Sequence, residues 1–150
     1  MIYLTRRYSF CASHRLHSQA LTAEENARTY GKCNNPHGHG HNYFLEVCVA
    51  GPVDSSTGMV CDLAVLDDMV HREILERLDH ANLNQDVENF RSLVPTSENL
   101  CIVILNLLLA QLKSLDSFRS VRLVRVRLDE THANYFEYEG DGAASDRKVR

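Results

Sequence analysis

The stretch PHGHGHNYFLEVCVAG, residues 36–51, decides the fold. Side chains alternate along a strand with a period of two, so His39, His41, Tyr43, Leu45, Val47 and Val49 share one face of a strand over residues 39–49. That face is apolar at one end and carries two imidazoles at the other. A strand of this kind runs from a hydrophobic core into a polar site. Gly38 and Gly40 permit a close backbone approach beside the imidazoles, and Gly51-Pro52 ends the run.

Upstream, residues 3–16 mix Tyr, Phe, Thr and Leu without a helical period and read as a strand carrying His14 near its far end. Thr22 with Glu25 forms a capping-box pattern and Gly31 a stop, giving a short helix before Cys33. Downstream, Asp62 is a good N-cap for a helix with Leu63, Leu66, Val70, Ile74 and Leu78 on one face. Thr96, after Pro95, caps a second helix reaching about Lys113, with Glu98 in its first turn. That helix is apolar nearly all round, which calls for burial on more than one side, at a subunit interface as well as in a core. Residues 121–128 and 134–138 supply two more strands. The expected architecture is α+β, in the order ββααββ, with a four-stranded antiparallel sheet and two helices on one face. Residues 1–140 form one domain in this reading, and residues 141–150 a small, polar tail that frays.

Bulk numbers exclude several classes. The 150 residues are 44% hydrophobic and 24% charged, with mean hydropathy −0.29, which is ordinary globular usage. Lys+Arg 16 against Asp+Glu 20 gives a net charge of −4, unlike a nucleic-acid binder held on by phosphate neutralisation. The most apolar run, residues 100–112, falls far short of the ~20 residues of a membrane span. Five cysteines without paired spacing, and a start without a secretory core, point to a reducing cytoplasm. Cys48, Cys61 and Cys101 read as buried fillers.

Of eight histidines, His14, His17, His37, His39 and His41 crowd the first 41 residues. His39 and His41 leave one strand face together, and a neighbouring antiparallel strand brings His14 alongside. Three neutral imidazoles with an open fourth position suit a catalytic zinc ion. His37, in the turn beside Pro36, is a bystander in this reading, and His17 an exposed polar residue. Cys33 lies in a loop beside Lys32, where a thiol can act as base or nucleophile. In Asp79-His80 a carboxylate can orient an imidazole for acid–base work. Glu130, at a strand end with Thr131, can receive the donors of a planar heterocycle.

Taken together, SFCASHRLHS, EENARTYGKCNNPHGHGHNY, TGMVCDLAVL, LDHANLNQDV, PTSENL and ET before a closing aromatic strand resemble, in order, the 6-pyruvoyl-tetrahydropterin synthase family. The resemblance spans about residues 6–140. It implies the tunnelling fold (T-fold), with trimers paired into a homohexamer and active sites between subunits. It implies a lyase that converts 7,8-dihydroneopterin triphosphate to 6-pyruvoyl-tetrahydropterin with loss of triphosphate, a step of tetrahydrobiopterin biosynthesis. By the same resemblance His14, His39 and His41 ligate Zn2+, Cys33 takes a proton, and Asp79 with His80 relays protons. Glu130 anchors the pterin, with Thr96 and Ser97 beside it, and Lys32 and Arg15 are candidates for holding triphosphate. His37 stands where family members usually carry a different polar residue, and the connection SLDSFRS is longer than usual. The rival within the superfamily is 6-carboxy-5,6,7,8-tetrahydropterin synthase of queuosine biosynthesis. The six-residue step from Cys33 to His39 favours the pyruvoyl branch, because the carboxy branch typically has Cys-x-x-x-His-x-His. A further alternative is a non-catalytic, zinc-stabilised oligomeric pterin-binding module.

Overall fold

The structure, a computed structural model, describes residues 1–140; the expected tail lies outside them. Strand β1, Ile2–His14, pairs antiparallel with β2, His39–Gly51, in a register that sets Phe10 against Tyr43, Ala12 against His41 and His14 against His39. Even positions of β1 and odd positions of β2 face inward, as the alternation predicts. The expected strand over residues 3–16 stops at His14, and that over 39–49 continues to Gly51.

Helix α1, Ala23–Tyr30, begins with the capping box: Glu25 N–H donates to the Thr22 hydroxyl at 3.2 Å, and Thr22 N–H donates to the Glu25 carboxylate at 2.8 Å. Gly31 ends it at φ 53, a conformation that favours glycine. Helix α2, Leu63–Val70, starts on Asp62, whose carboxylate accepts from Ala64 N–H at 2.8 Å. The expected single helix to Leu78 is instead interrupted by a π-helical segment, His71–Leu75, before a last turn α3, Glu76–Leu78. Strand β3, Ala81–Asn82, and the short helix α4, Leu83–Asp86, follow. Helix α5, Ser97–Leu112, is capped by Thr96, and the hairpin of β4, Arg122–Thr131, and β5, Asn134–Glu139, completes the sheet.

The sheet has five strands in the order β3-β1-β2-β4-β5. The expectation of four antiparallel strands is corrected here: β3 adds two residues parallel to β1, pairing Ala81 with Ala12 and Asn82 with Ser13. Two residues carry no readable periodicity, so nothing in the sequence announces them.

Leu66, Met69, Val70, Ile74, Leu100, Ile104 and Leu108 are buried in one cluster with Tyr43, Leu45, Val47 and Val49 of β2 and Val126 and Leu128 of β4. The all-round apolarity of α5 is largely consumed within the chain, for Leu100, Cys101, Val103, Ile104, Leu105, Leu108 and Leu112 are buried, and only Ile102, Leu107 and Leu109 stay half-buried. Burial pushes the Cys101 thiol up to about 12, as suits an inert filler. Arg6 and Tyr8 of β1 both donate to the Asp67 carboxylate, Tyr8 at 2.8 Å, tying the outer end of the sheet to α2.

Core packing and local capping differ in weight. Ile104→Ala is expected to lower the unfolding free energy by about 2–5 kcal/mol, and Thr22→Ala by only about 1 kcal/mol. Urea denaturation at one protein concentration measures both.

Candidate metal centre and active site

His14 Nδ1 donates to the Pro95 carbonyl at 2.7 Å, which leaves the lone pair on Nε2. That nitrogen lies 3.1 Å from His39 Nε2. One ligand nitrogen from each of His14, His39 and His41 lies within 4.8 Å of the others. The ring centroids are 4.6 to 5.1 Å apart. His41 Nε2 and His39 Nδ1 are buried with no hydrogen-bond partner, so the cluster is incomplete by its own bonding. Burial, with the neighbouring imidazoles, pushes both His14 and His41 below the ordinary histidine value and keeps them neutral. Three convergent imidazoles, one oriented by a carbonyl, fit a metal ion with an open position.

Gly38 makes this geometry possible. At φ 71 its backbone passes so close to β1 that a Cβ would lie 2.8 Å from the His14 carbonyl oxygen. Gly40 is not under the same constraint, since its Cβ would meet Ala12 O at 3.4 Å.

Glu130 lies two residues beyond Leu128 on the inner face of β4, where the pairing of β4 with β5 shifts register between Asp129 and Thr131. Such a bulge re-aims a side chain. Ser97 Oγ donates to Glu130 Oε1 at 2.6 Å, and Asn134 Nδ2 donates to Oε2 at 2.9 Å. Burial works to raise the Glu130 carboxyl, but the bonds from Ser97 and Asn134, helped by His41 and His14, hold it below its ordinary value. Its Oε1 is 3.8 Å from His41 Nε2, so the carboxylate borders the metal cluster without closing it. Thr96, beside Ser97, spends its hydroxyl on the helix cap, accepting from Asn99 N–H at 3.3 Å.

Cys33 lies in the turn Gly31–Asn34, half-buried. Its carbonyl accepts from Leu16 N–H at 2.9 Å, and Asn34 Nδ2 donates to Leu16 O at 2.7 Å. The thiol-bearing turn is thus stapled to the residues that follow His14. His17 is half-buried against Asn34 rather than exposed, with its Nδ1 3.0 Å from Asn34 Nδ2.

Asp79 and His80 stand apart from the triad. His80 takes φ 61, the one positive φ among the described non-glycine residues. Its N–H donates to Cys11 O at 2.6 Å, and Asp79 Oδ1 accepts from Cys11 N–H at 2.8 Å. Asp79 Oδ2 lies 3.1 Å from His80 Nδ1. The Asp79 carboxyl is held low, chiefly by the bond from Cys11 N–H. His80 borders a 340 Å³ hollow with Cys11, Ser13 and Asn42, whose positions alternate away from the triad rings, and with His41 of the triad itself. On the other side of the site, a 720 Å³ cleft is lined by Arg15, His17, His37, Arg91, Gly38 and Pro95. Two of its lining residues touch His14: the Pro95 carbonyl accepts from its ring and Gly38 passes beside its carbonyl. His37 is on that wall and not among the three clustered histidines. Lys32 is exposed and is not on the wall.

Residues 3–141 match the family described as 6-pyruvoyl tetrahydropterin synthase. The chain belongs to that family. It is 45% identical to a 6-pyruvoyl tetrahydrobiopterin synthase of Drosophila melanogaster, over 92% of this chain and 79% of that one. It is 44% identical to the human protein of the same name, over 92% and 91% of the two chains. The structure of Caenorhabditis elegans 6-pyruvoyl tetrahydropterin synthase superimposes with a TM-score of 0.85 at 42% identity, covering 93% of this chain and 96% of that chain. Membership makes the chain an enzyme, a lyase with the tunnelling fold.

Sequence reasoning missed three parts of the site. The Pro95 carbonyl that orients His14 is 81 residues away in the chain. Asn134, the first residue of β5, holds the second oxygen of Glu130. Tyr43, whose buried hydroxyl has no partner, packs 5.5 Å from the His41 ring. Only Tyr43 left a signal, the period-two step from His41.

Because the His14 and His41 imidazoles have folded-state values below the unfolded value near 6.5, the unfolded chain binds protons first as pH falls. Metal-free protein is therefore expected to hold its full stability above that value and to lose it progressively below. The melting temperature of chelator-treated protein across about pH 8 to 5 reads this, and His14→Gln should flatten the profile.

Proposed function

We propose that the protein is a zinc-dependent 6-pyruvoyl-tetrahydropterin synthase, converting 7,8-dihydroneopterin triphosphate to 6-pyruvoyl-tetrahydropterin with elimination of triphosphate. The observation that carries the reading is the cluster of His14, His39 and His41 with unpartnered buried nitrogens, bordered by an ionised Glu130. The three imidazoles hold the metal, which when bound supplies Lewis-acid acidification of the substrate side chain.

The remaining chemistry belongs to the chain. Glu130 accepts the pterin ring N–H groups, pre-aimed by Ser97 and Asn134, with Thr96 alongside Ser97. Such anchoring turns ring binding into orientation of the side chain at the metal. Cys33, as thiolate, accepts the carbon-bound proton at Sγ. Arg15 and Arg91, on the cleft that Pro95 and Gly38 border beside His14, offer charge to the triphosphate of an otherwise acidic protein. Asp79 holds the His80 ring for proton relay.

Asp79 and His80 face away from the triad of their own chain, and this supports a site completed by a neighbouring subunit. The sheet offers the means. Among the described residues β3 covers only Ala12 and Ser13 of β1, and β5 forms the other edge. Unpaired edges invite strand addition, and Ile2, Tyr3, Tyr135 and Tyr138 lie exposed along them. We infer a homohexamer of paired trimers, built by the one domain of residues 1–140. No helix among the described residues is long and apolar enough to cross a membrane, and a cytoplasmic site accords with five free cysteines.

Incubation of zinc-loaded protein with 7,8-dihydroneopterin triphosphate, with products identified by mass, is expected to yield the 6-pyruvoyl product. Acetaldehyde with a 6-carboxy product would move the protein to the queuosine branch, and no turnover would leave a binding module. Cys33→Ala should keep zinc and hexamers but lose at least about 10²-fold in kcat, and full activity in that variant refutes Cys33 as the base. Glu130→Gln should raise KM and lower kcat together.

A further inference from the structure

We propose that Tyr43 is a positioning residue of the Glu130 anchor: its hydroxyl donates to Ser97 Oγ and thereby commits the single Ser97 proton to the carboxylate. The role rests on the reading of Glu130 as the group that receives the pterin ring. It adds the residue that keeps that carboxylate aimed.

Tyr43 is on the inner face of β2, two residues beyond His41, and is fully buried. Its ring is clamped. It stacks on Phe10 with centroids 5.1 Å apart, and lies 5.5 Å from the His41 ring and 6.5 Å from that of His14. Packing alone does not call for the hydroxyl, because a phenylalanine fills the same stack. The phenol oxygen is buried without a formed hydrogen bond, and a buried hydroxyl left idle is worse for stability than no hydroxyl at all.

The groups around that oxygen decide what it can do. Burial and the charge of Glu130 push the phenol above its ordinary value, and Ser97 stands near enough to oppose the rise. The hydroxyl therefore keeps its proton and is available as a donor beside Ser97. Ser97 is itself buried, at the first position of α5. A serine has one proton and two lone pairs. Ser97 Oγ gives that proton to Glu130 Oε1 at 2.6 Å, so toward Tyr43 it can only accept. The resulting chain runs from Tyr43 to Ser97 to Glu130, and each bond polarises the next.

The direction of the chain matters for binding. If Ser97 turned its proton elsewhere, Oε1 would lose its donor while burial went on opposing the charge. A donor behind Ser97 disfavours that turn. Asn134 fixes Oε2 from the other side at 2.9 Å, so both oxygens face an incoming ring as oriented acceptors. The rival partner for Tyr43 is His41 Nε2, also buried and unpartnered, 3.8 Å from Glu130 Oε1.

Tyr43→Phe removes one oxygen and leaves the stack. Zinc-loaded protein is titrated with 7,8-dihydroneopterin, which has no triphosphate to lose, and binding is read from the fluorescence of the ligand. Tyr43→Phe is expected to weaken binding about fivefold and Ser97→Ala to weaken it further, with the double variant no weaker than Ser97→Ala alone. In urea, Tyr43→Phe should lower the folding equilibrium constant about fivefold, and should not lower it when Ser97 is already alanine. Equal binding by wild type and Tyr43→Phe, effects that multiply in the double variant, or a gain in stability from Tyr43→Phe alone would each overturn the role. Co2+ titration of metal-stripped protein should give the same affinity with and without the hydroxyl. A change of about tenfold or more would assign the hydroxyl to His41 and overturn its place behind Ser97. Wild-type protein that binds no dihydroneopterin would overturn the pterin reading of Glu130 and this role with it, an outcome distinct from equal binding by the two proteins.

Discussion

The register of β1 on β2 is the constraint on which everything else depends. It sets His14 opposite His39 and Ala12 opposite His41, and a slip by one residue would carry His14 and the rest of the inner set of β1 to the other face. Two features forbid the slip. The same register stacks Phe10 on Tyr43 at 5.1 Å and buries Leu45, Val47 and Val49 under α2 and α5. Gly38 also lets the two strands approach closely where the histidines meet. Each buried Leu or Val contributes about 1.5–3 kcal/mol, whereas a buried, unpartnered polar nitrogen costs about 1–3 kcal/mol. A handful of core side chains therefore outweighs the two orphaned imidazole nitrogens and holds the cluster in a ligand-ready form.

Around that cluster, the same burial acts in opposite senses on groups of opposite charge type. It pushes His14 and His41 toward the neutral form a metal needs. It also works against ionisation of Glu130, but there Ser97 and Asn134 donate to both carboxylate oxygens and win. The result is a pair of imidazoles held neutral beside an anionic anchor, two environments a few ångströms apart. The bulge at the end of β4 and the first turn of α5 create the second of them.

The corner at His80 has a different logic. A left-handed non-glycine residue costs about 1–2 kcal/mol, offset here by the 2.6 Å backbone bond to Cys11 and the start of β3. The corner pins Asp79 and His80 to the edge of β1 yet turns them away from the triad of the same chain. One chain thus carries two partial constellations pointing in different directions, and a sheet with open edges can bring such halves together between copies.

What the sequence alone determined was whatever depends on short-range periodicity: the strand carrying His39 and His41, the capped starts at Thr22, Asp62 and Thr96, the stop at Gly31, and Glu130 at a strand end. The ordered motifs also carried the family, because their residue types and spacings survive without coordinates. Tertiary structure alone decided that the Pro95 carbonyl orients His14, that Asn134 and Ser97 share Glu130, and that Cys11 touches the Asp79–His80 corner. It also decided the two-residue fifth strand, the π-helical interruption after Val70 and the side of the sheet on which His80 stands. These contacts join residues up to 81 positions apart, or turn on a single backbone dihedral. Local patterning records which face a side chain takes along its own strand or helix, but not what the rest of the chain brings to meet it.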